Sequence, residues 1–144
     1  MSKIETRIEI NAPPERVWAV LTDFREMPSW NPFIRSIAGP LTAGERLNVL
    51  IEPPGRSSMS FKPVLLAAKP ARELRWRGSF LAESLFAGEH FFLIDRRSAQ
   101  NTLMRQGETF SGLLAPLIMN GAMLQATRAG FVAMNEALKR RAET

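Results

Sequence analysis

Residues 113–141 carry the period of a single long α-helix, and residues 46–110, which precede them, read almost entirely as strands and turns. Leu113, Leu117, Leu124, Phe131, Met134 and Leu138 recur at three- and four-residue spacing and share one helical face. Asn120 and Thr127 lie on that same face. A lone long helix must bury its apolar stripe on the sheet that the strands form. Two polar groups on the buried stripe suggest incomplete closure between helix and sheet, with room for a guest that is partly polar. The pattern is that of a container.

At 144 residues the chain reads as one domain, 1–144, with enough core to enclose a cavity. No apolar run reaches the roughly 18 residues of a spanning helix, so no stable membrane insertion is expected. No charged-then-apolar leader is visible at the start, and a cytoplasmic location is the expectation. The absence of cysteine excludes disulfides, thiolate catalysis and cysteine-ligated metals. The formal charge is +5. Its arginines (among them Arg7, Arg35, Arg75, Arg77 and Arg96) are dispersed and alternate with apolar residues on strands. That is a solvated sheet face, and no nucleic-acid surface is expected.

Residues 3–10 alternate strictly, placing Ile4, Thr6, Ile8 and Ile10 on one side of a first strand. Asn11, followed by two prolines, reads as the N-cap of a short helix ending near Thr22. A second helical turn spans 24–30 and stops at Asn31-Pro32. Further strands are expected at 33–38, 47–51, 59–67, 73–81, 89–95 and 101–110, with turns rich in glycine and proline between them. Gly112 admits the turn into the helix. The order is strand, two short helices, six strands, long helix: an α+β chain whose seven-stranded, curved antiparallel sheet wraps around the C-terminal helix.

Several stretches resemble a known family. Asn11-Ala12-Pro13-Pro14-Glu15-Arg16-Val17-Trp18 with Thr22-Asp23-Phe24 and Trp30-Asn31-Pro32-Phe33 is similar to the opening of START-related helix-grip domains. The branch most resembled is the SRPBCC, or polyketide cyclase/dehydrase-like, family. Pro70-Ala71-Arg72-Glu73-Leu74-Arg75-Trp76, Gly88-Glu89-His90-Phe91-Phe92, Glu108-Thr109-Phe110-Ser111-Gly112-Leu113 and the segment from Gly130 to Lys139 continue the likeness. The resemblance implies the helix-grip fold and a deep cavity for lipids, sterols, polyketides or plant hormones. Its motifs are specific for fold and poor for function.

His90 is the only histidine. If the last hairpin pairs Arg96 with Gln100, His90 opposes Gln106, Phe92 opposes Met104 and Gly88 opposes Glu108. His90, Gln106 and Glu108 then converge on the concave face that carries Phe92 and Phe110. His90 and Glu108 are the candidate catalytic pair, a histidine and a carboxylate able to move a proton on a bound carbonyl compound. The same groups serve equally to orient a ligand or to satisfy one another. Trp76, Phe80, Phe92, Met104, Phe110, Leu117, Leu124 and Phe131 are expected to line the cavity, with Asn120 and Thr127 adding polar contacts. Trp30 and Asn31 are placed at its mouth. A lone histidine without a carboxylate cluster argues against a metal, and no phosphate loop, dinucleotide fingerprint or nucleophile elbow is present, so no cofactor is expected.

On the opposite face, Phe91, Leu93 and Leu103 fall where charge is expected, with Leu93 opposing Leu103 and Phe91 opposing Arg105. They mark a candidate homodimer surface. The leading expectation is binding of a small hydrophobic, lipid-, sterol- or polyketide-like molecule. The alternatives are a cyclase/dehydratase-type enzyme using His90 and Glu108, or a protein-interaction module with no ligand.

Overall fold

The computed structural model describes residues 2–144. Strand β1 (Ser2–Ile10) buries Ile4, Thr6 and Ile10 on the face that the alternation selects. Helix α1 (Pro14–Thr22) opens with proline in its first turn, and a 3-10 turn (Phe24–Glu26) leads into the short α2 (Met27–Trp30). Asn11 is not the cap expected of it. Pro13 occupies the N-cap position, and the Asn11 backbone N–H instead donates to Glu143 at 2.7 Å.

The strands β2 (Ile34–Ala38), β3 (Asn48–Ile51), β4 (Met59–Phe61), β5 (Val64–Lys69), β6 (Glu73–Ser79), β7 (Ala87–Ser98) and β8 (Asn101–Ser111) follow. They form a five-stranded sheet ordered β1-β8-β7-β6-β5 and a three-stranded sheet ordered β2-β3-β4. The sequence-based expectation of one seven-stranded sheet is corrected on this point. The strand expected at 59–67 is divided by Lys62-Pro63, because proline has no N–H to give to a ladder. Backbone bonds still join the two sheets: Leu47 N–H donates to Pro63 O at 2.9 Å and Leu65 N–H to Glu45 O at 2.8 Å.

The long helix is corrected as well. It is two helices, α3 (Ala115–Ile118) and α4 (Gly121–Ala142), broken at Met119, where φ is −99° and ψ 61°. Asn120 does not sit on a buried face. It is the N-cap of α4, and its Oδ1 accepts from Met123 N–H at 3.0 Å. Leu113 and Leu117, at 81% and 73% exposure, leave the buried stripe with the first turns. Replacing Asn120 by alanine should cost about 1 kcal/mol in urea unfolding, with the fold retained.

Helix α4 buries Thr127, Gly130, Phe131, Met134, Asn135 and Leu138 against the sheet. A Cβ at Gly130 would overlap the ring of Phe33, so a bare backbone is what lets the helix approach this closely. Its last turn is clasped to the N-terminal segment. Glu143 accepts from Asn11 N–H and from Lys139 Nζ (2.6 Å), while Arg16 reaches the Arg141 and Ala142 carbonyls. The Lys139 hydrogen bond, aided by Asn11, holds the Glu143 carboxyl below the ordinary glutamate range. A depressed folded-state value means that the contribution is complete above that ordinary range and vanishes as pH falls through the depressed value. An NMR titration should therefore show the Asn11 amide moving only on the acid side of the usual glutamate range, and Glu143→Gln should abolish the movement. No helix is long and apolar enough to cross a membrane among the described residues.

Candidate functional site

The final hairpin is tighter than the sequence suggests. A two-residue turn at Ala99-Gln100 and an irregularity between Arg96 and Ser98 pair His90 with Glu108, Phe92 with Gln106 and Ile94 with Met104. The register is displaced by two residues from the expected one. Because side chains alternate with period two, such a slip keeps every residue on its face. His90, Gln106 and Glu108 consequently still meet, although the expected pairing of Gly88 with Glu108 becomes Gly88 with Phe110.

His90 is buried at 4% exposure, and its ring is held by aromatic neighbours. It stacks on Trp76, its cross-strand partner on β6, with centroids 5.1 Å apart and planes at 19°. Phe131 of α4 meets it edge-on at 4.9 Å and Phe92 lies 4.8 Å away. Nδ1 lies 3.2 Å from Glu108 Oε1, and Nε2 lies 3.0 Å from Gln106 Oε1. The other Glu108 oxygen rests over Gly88, where any Cβ would collide with it.

Behind this group is a buried polar chain that the sequence reading did not single out. The Gln106 amide donates to Asn135 Oδ1 at 2.7 Å, and Asn135 Nδ2 donates to Thr6 Oγ1 at 2.8 Å. Thr6 Oγ1 in turn lies 2.9 Å from the Gln106 backbone oxygen. Two sequence signals were available: the inward position of Thr6 on β1, and Asn135 four residues after Phe131.

In front of His90 and Glu108 lies a cavity of about 500 Å³ between the two sheets and the α3–α4 junction. Of the expected lining residues, Trp76, Phe80, His90, Glu108, Phe110 and Thr127 border it. Phe92, Met104, Gln106 and Phe131 are buried behind this layer, and Leu124 packs partly buried against the core. Leu117 and Asn120 point to solvent. Trp30 and Asn31 do not stand at the mouth. Asn31 is fully buried, and its Oδ1 accepts from the Phe33 and Ile34 amides at 2.8 and 2.9 Å, which turns the chain from α2 into β2. Trp30 packs partly buried against the core.

Much of the wall comes from Phe33, which precedes β2, Ile51 of β3, Phe61 of β4 and Phe86, whose role was not read, and from Met119 and Met123 at the helix break, two methionines whose side chains suit an adaptable apolar cavity. Phe86 is carried in by the 80–86 loop, which is tied to the turn before α3 by Leu113 N–H to Ser84 O at 3.0 Å and Leu114 N–H to Leu85 O at 2.8 Å. Phe80, 58% exposed, stands at the rim. No lysine or arginine lines the cavity, and no set of three metal-ligating side chains occurs among the described residues.

The outer sheet face also departs from expectation. Phe91 opposes Gly107 and Leu93 opposes Arg105. Phe91 is 4% and Leu103 6% exposed, so they do not form the free apolar surface expected of a dimer contact. Lys3 and Arg75 lie over the Phe91 ring at 5.7 and 5.1 Å, covering it with charge that faces water. Arg75 also bonds Glu73 at 2.7 Å and Glu89 at 3.1 Å. Arg75 thus belongs to a paired, solvated face.

An antiparallel wall closed by one long helix over an apolar cavity defines a helix-grip domain. The family model for polyketide cyclase/dehydrase and lipid transport matches residues 1–143, and the chain belongs to that family. Among curated proteins none matches it. Many solved structures share the fold, and three illustrate it. A START superfamily protein from Mycobacterium smegmatis is 19% identical, with a TM-score of 0.75 over 98% of this chain and 97% of its own. The Zhui aromatase/cyclase from Streptomyces sp. R1128 is 17% identical, with a TM-score of 0.75 over 99% of this chain and 93% of its own. The di-domain ARO/CYC BexL from the BE-7585A biosynthetic pathway is 14% identical, with a TM-score of 0.76 over 99% of this chain; the match covers 47% of BexL.

Proposed function

We propose that this chain, as a single domain, binds a small, uncharged, largely apolar molecule with one or two polar groups, which His90 and Glu108 anchor. One observation carries the reading: a cavity of about 500 Å³ is walled mainly by apolar side chains, and among the described residues its only ionisable groups form a single histidine–carboxylate pair. A hydroxyl, phenol or carbonyl can bond to that pair without bringing a charge. A carboxylate ligand would face Glu108 with no lysine or arginine to receive it, and its desolvation would go uncompensated. The dispersed positive charge of the surface does not reach this site.

Native mass spectrometry of protein purified from its own cells, followed by denaturing extraction, tests the reading. A stoichiometric neutral lipid-, sterol- or polyketide-like mass is expected. Neutral polycyclic probes should raise the melting temperature more than fatty acids of similar size. Met123→Trp, which fills the cavity, should remove that shift without unfolding the protein. Equal shifts in wild type and Met123→Trp would sink the proposal.

The imidazole–carboxylate contact inside an apolar wall also favours a second reading, acid–base help to a cyclisation or dehydration of the bound molecule. That reading expects His90→Gln to abolish turnover of a bound polyketide-like substrate while its affinity changes little. A pure binding role expects no turnover to lose. A ligand-free interaction module predicts a small or absent cavity, and it is the least favoured of the three.

A further inference from the structure

We infer that Thr6 and Asn135, neither of which lines the cavity, act through Gln106 to dictate where His90 carries its protons. The argument starts from a group with no choice. The Gln106 backbone oxygen can only accept, so the Thr6 hydroxyl, 2.9 Å away, must donate its one proton to it. Thr6 Oγ1 is then left to accept, which turns the NH2 of Asn135 toward it at 2.8 Å. The Asn135 oxygen therefore faces Gln106, and the Gln106 NH2 donates to it at 2.7 Å. Gln106 Oε1 is what remains for His90 Nε2, 3.0 Å away. Nε2 must be the donor in that contact.

The polarity is set from one end to the other. Thr6, Gln106, Asn135 and His90 are all buried, at 8%, 0%, 2% and 4% exposure, so water offers little alternative. With Nε2–H committed inward, the contact between Nδ1 and Glu108 at 3.2 Å is favourable only when one proton lies between the two atoms. That proton is the one the pair can present to an occupant of the cavity. Gln106 Nε2 also reaches the Phe131 backbone oxygen, but at 3.4 Å that contact is the weaker anchor, so without the Thr6 hydroxyl the chain loses its well-placed fixed end. Asn135 and Gln106 can both turn over, and His90 can then place its proton on Nδ1 and accept at Nε2. Thr6, Gln106 and Asn135 are thus positioning residues for the site that the binding reading uses, and the test below needs no ligand, so the two proposals fail separately.

A single histidine means that 15N-histidine labelling gives one imidazole spectrum. In the ligand-free wild type, Nε2 should show the pyrrole-like shift and one-bond proton coupling of a protonated nitrogen. Thr6→Val, which keeps the side-chain shape, should move Nε2 toward the pyridine-like position. Thr6→Ser restores the hydroxyl and should return the wild-type spectrum; Asn135→Leu should behave as Thr6→Val does. A role in stability alone would alter melting temperature and leave the nitrogen shifts in place. An unprotonated Nε2 in the wild type overturns the inference outright, even if a variant fails to fold. So does a folded Thr6→Val protein with an unchanged imidazole spectrum.

Discussion

Replacing Phe131 by alanine should lower the unfolding free energy by about 3–5 kcal/mol, the usual cost of emptying a fully buried aromatic site. Its ring is completely buried and meets Phe33 edge-on at 5.3 Å and 81° on one side and His90 at 4.9 Å on the other. It therefore joins the C-terminal helix to the segment leading into β2 through Phe33 and to the large sheet through His90. The surroundings cannot collapse into the space easily, because Gly130 already holds the helix backbone against Phe33. At about 2–4 °C per kcal/mol for a chain near this size, the melting temperature should fall by roughly 6–20 °C. Phe131→Leu should recover most of the loss. A drop below about 1 kcal/mol would mean that the helix is not held through this contact.

Gln106→Leu should be almost as damaging although the two side chains are similar in size. It leaves the His90 Nε2–H and the Asn135 oxygen without partners in a region closed to water. Each unsatisfied buried group costs about 1–3 kcal/mol, so about 2–6 kcal/mol is expected in chemical denaturation. The double variant Gln106→Leu/Asn135→Leu should be less destabilised than the two single losses added together, because it deletes both ends of one hydrogen bond. Strict additivity would show that the two residues do not act as one network. The same single variant should weaken neutral probes far more than it alters cavity volume, since His90 loses the bond that orients it.

The strand alternation was legible because each strand of the large sheet turns one face to the core and one to water. Thr6, His90, Gln106 and Glu108 could therefore be assigned to a face without coordinates, and a two-residue error in hairpin register changed their partners but not their side. The break in the last helix was harder to read. Leu113 and Leu117 continue the apolar period of α4, and nothing in that period records that Asn120 stops one helix and caps the next. Asn31 shows the same difficulty. Its neighbours identify the end of a helix, but only the folded chain shows that its side-chain oxygen is spent on two backbone amides.

Sequence periodicity thus indicated the class of fold and, on the strands of the large sheet, the face that His90, Gln106 and Glu108 share, because these depend on local repeat and on which face is apolar. The division into two sheets, the walls supplied by Phe33, Phe61 and Phe86, and the Thr6–Asn135–Gln106 chain depend on contacts between segments far apart in the sequence. Asn135 and Thr6 are separated by 129 positions, yet their side chains meet at 2.8 Å. No local pattern encodes such a meeting. It follows from how closely α4 packs against β1, and that distance is set by all the side chains between them.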